Sequence, residues 1–110
     1  MKQLLTDYGL AALAELTRHH TLYAFDFDGT LAPIVWRHGE ARMGIALRSR
    51  LARRAAQVPV AVISGRSLAD LRTRIPGEVV HGIGNHGNES ATQPAERTQA
   101  LVATCRSWIE

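Results

Sequence analysis

Two aspartates one residue apart close an apolar run, where residues 23–30 read Tyr-Ala-Phe-Asp-Phe-Asp-Gly-Thr. A strand interior rarely tolerates carboxylates, because an unpaired buried charge is costly. Asp26 and Asp28 therefore mark either a polar strand exit or a site for chemistry. Residues i and i+2 leave a strand on the same side. Two carboxylates that close repel unless a cation offsets them. A hard divalent ion such as Mg²⁺ accepts such oxygens and bridges readily to phosphate. One carboxylate can then act as a nucleophile and the other as a proton shuttle. Gly29 permits a sharp turn that brings its amide to an anion, and Thr30 is placed to hydrogen-bond across the loop. An Asp-Gly pair on its own fits a solvated turn better than a site.

Two further polar stretches share this character. Ser64-Gly65-Arg66 offers a hydroxyl, a flexible backbone and a guanidinium just before an expected helix. Helix-start amides bind phosphate, and arginine adds a planar fork suited to phosphoryl oxygens or sugar hydroxyls. A plain turn capped by Ser67, with Arg66 in solvent, fits the same residues. The third stretch, from Gly82 to Glu89, is dense in glycine and polar side chains. The spacing G-x-G-x-x-G occurs at Gly82, Gly84 and Gly87, but it closes a strand and opens no helix, so it is no dinucleotide fingerprint. A surface loop fits it, and a substrate-contacting loop fits better if the other two motifs lie alongside.

The elements that would position these motifs follow from periodicity. Residues 3–18 place Leu5, Tyr8, Ala12 and Leu16 at helical spacing and end in the basic run Arg18-His19-His20, as an exposed helix terminus does. Residues 22–27 are apolar and aromatic without clean alternation, which predicts a strand buried on both faces. Residues 40–57 read as a helix with Met43, Leu47, Leu51 and Ala55 in one stripe. Arg42, Arg48, Arg50, Arg53 and Arg54 lie on its other face, and they read as a solvated surface. No aromatics interleave them to stack bases, so no nucleic-acid partner is expected.

Residues 58–63 predict a second buried strand. Ser67 then caps a helix that Pro76-Gly77 ends. Residues 79–84 predict a third strand, 88–98 a linker, and Pro94 onward a last helix with Leu101, Cys105 and Trp108 on one side. Alternating helix and strand imply parallel β-α-β units with right-handed crossovers. In such sheets ligands gather beyond the carboxyl ends of the strands, and all three polar motifs fall there.

Composition narrows the class. With 110 residues and 45% hydrophobic content, one small domain with a packed core is expected. The net charge of +3 is almost entirely arginine, since Lys2 is the one lysine. The mild basic excess suits phosphate esters. Cys105 stands alone, so no intrachain disulfide forms and a reducing cytoplasm is the simplest compartment. Asp7 and Glu15 interrupt the apolar amino terminus, so neither a signal peptide nor a membrane span is expected.

Together the motifs resemble the haloacid dehalogenase-like phosphatases, and within them the amino-terminal part of the trehalose-6-phosphate phosphatase family. The resemblance rests on FDFDGTLAPIV (25–35), VAVISGRSLADL (60–71) and GIGNHGNE (82–89), in order and spacing. It implies an α/β fold: a Rossmann-like parallel sheet of the haloacid dehalogenase type, incomplete, with about three strands and flanking helices. Residues 1–90 would be the N-terminal half of the core domain, and 91–110 a linker and helix at the start of a cap domain.

The same resemblance implies roles. Asp26 would attack phosphorus to form an aspartyl-phosphate. Asp28 would protonate the leaving sugar oxygen and then activate water. Mg²⁺ would be held by the Asp26 side chain and the Asp28 main-chain carbonyl. Gly29, Ser64 and Gly65 would bind phosphate, while Arg66, Asn85, His86 and Glu89 would line the sugar site. The substrate would be a sugar phosphate, trehalose 6-phosphate. The family also uses a downstream lysine and a later acidic pair, yet no lysine follows Lys2 and no aspartate follows Asp70. The chain is therefore expected to be a fragment with little activity alone. The alternatives are another sugar-phosphate phosphatase of the superfamily, or a non-catalytic module that binds a phosphorylated ligand or partner. Nothing in the sequence indicates an oligomeric state.

Overall fold

The computed structural model describes residues 3–90 and 95–107. The elements run α1 (Asp7–Leu16), β1 (Tyr23–Asp26), α2 (Ile45–Ala55), β2 (Val60–Ile63), α3 (Leu68–Arg74), β3 (His81–Gly84), β4 (Glu89–Ser90) and α4 (Ala95–Ser107). The sheet order is β1-β2-β3-β4. β1 pairs parallel with β2 through Tyr23–Val60 to Asp26–Ile63, and β2 pairs parallel with β3 through Ala61–His81 to Ile63–Ile83. The three predicted strands are thus neighbours in register, and their carboxyl ends meet at one edge. β4 is an addition, because Glu89 and Ser90 turn back antiparallel onto Gly84 and Ile83. The stretch read as a linker therefore begins as an edge strand. Residues 91–94, with Pro94, and Trp108 lie outside the described residues, as do the side chains of Leu101 and Cys105.

The core gathers Phe27, Leu51, Val60, Val62, Leu71, Ile75 and Val79, all buried. Tyr23 and Phe25 pack against it from β1, while Ala24 and Asp26 on the opposite side are exposed. The expected strand buried on both faces is therefore β2, where Val60, Ala61 and Val62 are all buried. β1 stands at the end of the sheet and alternates between half-buried and exposed, as a strand covered on one face must.

Two helices depart from their expected form. α2 opens at Ile45 behind Gly44 rather than at Glu40. The preceding residues make a 3₁₀ turn at His38–Glu40 and an extended stretch that buries Ala41 and Met43. The Ala41 carbonyl accepts a 2.8 Å bond from Arg74 Nη1 on α3, and this tertiary bond holds the stretch out of the helix. The arginine face of α2 is only partly solvent-facing. Arg48 forks onto the carbonyls of Arg74 at 2.6 Å and Ile75 at 3.3 Å, closing the end of α3. Arg54 lies 5.1 Å over the Tyr23 ring. α1 forms where the pattern places it and is capped by Thr6, whose hydroxyl accepts from the Gly9 amide. Its apolar stripe stays open, since Leu5, Tyr8 and Leu16 are exposed.

Candidate active site

β1 ends at Asp26 because the backbone then folds back on itself. The amides of Leu31 and Ala32 both donate to the Phe27 carbonyl, at 3.0 and 2.9 Å. Phe27 drops fully into the core, and Asp26 and Asp28 flank it on the polar side. Gly29 takes φ +86°, the left-handed region a glycine adopts without penalty. Its amide, expected to face an anion, donates instead to the Ala32 carbonyl at 2.7 Å, because this tight loop uses its own donors. Thr30 does bridge the loop, its hydroxyl donating to Asp26 Oδ2 at 3.4 Å.

The charge of Asp28 has a partner 38 residues away. Arg66 Nε and Nη2 donate to its two oxygens at 2.8 and 2.6 Å. This bidentate fork is the strong form of a charge-assisted pair. The Arg66 side chain is 7% exposed. It lies 5.6 Å over the Phe27 ring and also donates through Nη1 to Asp70 at 3.0 Å. Its Nη2 stands 3.3 Å from His38 Nδ1, so that nitrogen accepts the bond. The Asp28 hydrogen bond, against the opposing effect of burial, raises the affinity of Arg66 for its proton. Asp70 in turn grips Arg74 with both oxygens, at 2.9 and 2.8 Å. The Arg74 bonds come first and the Arg66 bond also contributes; against the desolvation that raises it, they bring the Asp70 pKa from 3.8 down to about 2. Asp28, Arg66, Asp70 and Arg74 thus alternate in sign along one line, from the end of β1 into α3.

The Ser64-Gly65-Arg66 turn is wound tightly. Ser64 is buried and its hydroxyl accepts from the Arg66 amide at 3.1 Å. A hydroxyl that accepts still has a proton to donate. Gly65 faces His86 so closely that a Cβ there would lie 2.6 Å from His86 Cε1. His86 sits on a 3₁₀ turn at Asn85–Gly87, where Asn85 and His86 both have positive φ, at 48° and 54°. Two consecutive left-handed non-glycine residues carry backbone strain. Bonds from the Asn85 amide to the Arg66 carbonyl and from the His86 amide to the Ser64 carbonyl hold them there.

A cleft of about 490 Å³ opens among these groups, walled by Asp28 and His38, residues 65–67, Asp70 and His86. The structure therefore brings Asp28, Gly65, Arg66 and His86 together around one space. Asp26 at the end of β1, Gly29, Ser64, and Asn85 on the 3₁₀ turn adjoin the wall residues along the chain. Glu89, expected at the sugar site, is not among the residues that wall this cleft. Its Oε2 accepts from the Leu68 amide at 2.7 Å. This carboxylate satisfies the first orphan donor of α3 and takes the place in which an anion was expected. His38 and Asp70 were missed. Asp70 carried a readable cue, since it stands four residues after Arg66. His38 carried none, because its loop is shaped only by tertiary contacts.

A family profile described as trehalose-phosphatase matches residues 24–109. The chain belongs to the trehalose-phosphatase family. It is 43% identical over 74 residues to a trehalose-phosphate phosphatase of Mycobacterium avium, covering 67% of this chain and 19% of that protein. It is 40% identical over 89 residues to an uncharacterized glycosyl hydrolase of Mycobacterium tuberculosis, covering 81% of this chain and 7% of that protein. The chain thus spans less than a fifth of the length of these relatives. A solved structure titled as a trehalose-6-phosphate phosphatase related protein shares the fold, with a TM-score of 0.61 at 23% identity, over 81% of this chain and 43% of that one. As a member of the trehalose-phosphatase family the chain is of phosphatase descent. Its sheet is the incomplete, mostly parallel α/β arrangement that the motifs implied. Among the described residues, no helix is long and apolar enough to cross a membrane.

Proposed function

We propose that this chain carries the attacking half of a trehalose-6-phosphate phosphatase. One observation carries the reading: Asp26, Asp28, the Ser64-Gly65-Arg66 turn and His86 converge at the carboxyl ends of three adjacent parallel strands, beside one cleft. In this reading Asp26, exposed and held by Thr30, attacks phosphorus as the sugar oxygen leaves. Asp28 enters the step carrying a proton on one oxygen, gives it to the leaving oxygen and later takes one back from the water that frees phosphate. Both Asp28 oxygens accept from Arg66 in the structure, so one bond of that fork opens for the proton to be carried. The Ser64 hydroxyl and the Gly65 turn steady the phosphoryl oxygens, while His86 and Asn85 face the sugar.

The donor set suits Mg²⁺. The Asp26 carboxylate and the Asp28 main-chain carbonyl are hard oxygens, and Mg²⁺ commonly uses one or two such ligands with water and phosphate completing its shell. Among the described residues no group of three His, Cys, Asp or Glu side chains forms a ready cage. Bound there, the ion would neutralise phosphoryl charge. Arg66 is the cation on the cleft wall, and no lysine follows Lys2. Losing one charge-stabilising group costs about 10²–10³ in rate.

The test is titration of the 110-residue chain with trehalose 6-phosphate, with and without Mg²⁺, alongside phosphate release. We expect Mg²⁺-dependent binding and slow release that Asp26→Asn abolishes. Release unaffected by Asp26→Asn, or neither binding nor release, overturns the reading. The clamped Asp28 also favours a second reading, in which the site only recognises a phosphorylated ligand. Binding without release would select it.

A further inference from the structure

We propose that Asp70 is a positioning residue for Asp28 and acts through Arg66. A guanidinium is a rigid fork whose donors point in fixed directions. Two of the three Arg66 nitrogens are aimed at Asp28, and the third, Nη1, is held by Asp70 Oδ2 at 3.0 Å. Holding Nη1 fixes the rotation of the whole plane and so fixes where the fork meets Asp28. Asp70 is itself seated. Its two oxygens grip Nε and Nη2 of Arg74, whose Nη1 bonds the Ala41 carbonyl. Arg74 is buried and its own carbonyl is held by Arg48. Every link beyond Asp70 therefore ends on a fixed backbone.

The charges along the line, Asp28, Arg66, Asp70 and Arg74, cancel in pairs. Removing the Asp70 charge leaves two guanidinium groups short of one counter-charge and frees Nη1. The position of Asp70 on the first turn of α3, capped by Ser67, sets the reach of its carboxylate to residue 66 on one side and residue 74 on the other. The proposal rests on the phosphatase reading only for its consequence in catalysis. The positioning itself is tested without turnover.

The experiment follows the Arg66 side chain by nuclear magnetic resonance in the full 110-residue chain. The Nε–H signal is assigned by its loss in Arg66→Lys, and the rotation rate of its Nη groups is measured. We expect slow rotation in the unaltered protein and faster rotation by roughly tenfold in Asp70→Asn, the change expected when a charge-assisted bond gives way to a neutral one. Asp70→Glu should restore slow rotation at a shifted frequency. Glu89→Ala is the structural control: it removes the partner of the Leu68 amide at the start of α3 and leaves Asp70 and its Ser67 cap in place, so the rate should not change. An Arg66 signal indifferent to Asp70→Asn, or released equally by Glu89→Ala, overturns the proposal. Should Asp70→Asn fail to fold, Asp70→Glu carries the test, and an unshifted Arg66 signal there overturns it. Failure of phosphate release in the unaltered chain, with the Arg66 signal still obeying Asp70, would count against the phosphatase reading alone.

Discussion

Gly65 and Gly84 are small for different reasons, and substitution separates them. The three atoms nearest a Cβ on Gly65 all belong to the His86 ring, the closest at 2.6 Å (Cε1) and 2.9 Å (Nε2). A Cβ on Gly84 meets backbone, at 2.5 Å from the Leu68 nitrogen and 2.8 Å from the Arg66 oxygen. A side chain can swing away, whereas packed backbone cannot move without disturbing α3. Gly84→Ala should therefore cost about 1–3 kcal/mol, as overpacking does. Gly65→Ala should leave stability within about 0.5 kcal/mol, the scale of substitutions that disturb no core feature, while moving His86 out of the cleft. Urea unfolding of both variants and the His86 ring resonances check this pair. Equal stability losses would mean that the two contacts are alike. Asp26, Asp28, Ser64 and His86 were readable as candidate site residues because three polar motifs fall where strands end. The fork of Arg66 onto Asp28 was not, because sequence cannot say which of 12 arginines reaches a carboxylate in another loop.

α3 is a short helix of seven residues, and such helices are marginal without help at their ends. Both ends receive it. Ser67 accepts from the Asp70 amide at 3.2 Å, Glu89 from the Leu68 amide, and Arg48 closes the carboxyl end. The Ser67 cap was legible from its spacing. The Glu89 cap was not, because its residue comes from β4, 21 positions downstream. Glu89→Ala leaves a half-buried amide without its partner and should lower stability by about 1–3 kcal/mol. Glu89→Gln, which keeps an acceptor and loses the charge, should cost less. Chemical denaturation of the two variants measures the difference, and a neutral Glu89→Ala would return this residue to the sugar site. α2 shows the limit of periodicity from the other side. Its stripe is genuine, yet Met43 packs into the core from an extended segment and Leu47 is exposed, because Arg74 holds the backbone ahead of Ile45.

The charge line from β1 to α3 also ties the stability of the molecule to pH. Arg74 holds the folded Asp70 pKa at about 2, below its ordinary 3.8. A depressed carboxylate stabilises the fold fully above its unfolded pKa, and the contribution is lost as pH falls through the folded one. Stability should therefore decline as pH drops from about 4 toward 2, and the decline should be shallower in Asp70→Asn. Thermal unfolding across that range tests it, and identical acid limbs for the two proteins would remove Asp70 from the cause. At this scale the parallel pairing of the strands was legible, while their order came from the structure. Alternating helix and strand with apolar runs admits few topologies, and the parallel sheet formed as expected. β4 escaped notice because two polar residues have no periodicity to read.

What the sequence determined by itself is the frame. Runs of apolar residues become strands because burial drives them into one core, and polar motifs at their ends gather on one edge because parallel strands share a direction. What only the tertiary structure decided is the pairing of charges and donors. Whether Gly29 offers its amide to an anion, whether Glu89 meets a sugar, and whether Arg66 waits in solvent or clamps Asp28 all depend on partners brought together across the fold. Hydrogen bonds are set by tenths of an ångström and by direction, and that information exists only once the chain has closed.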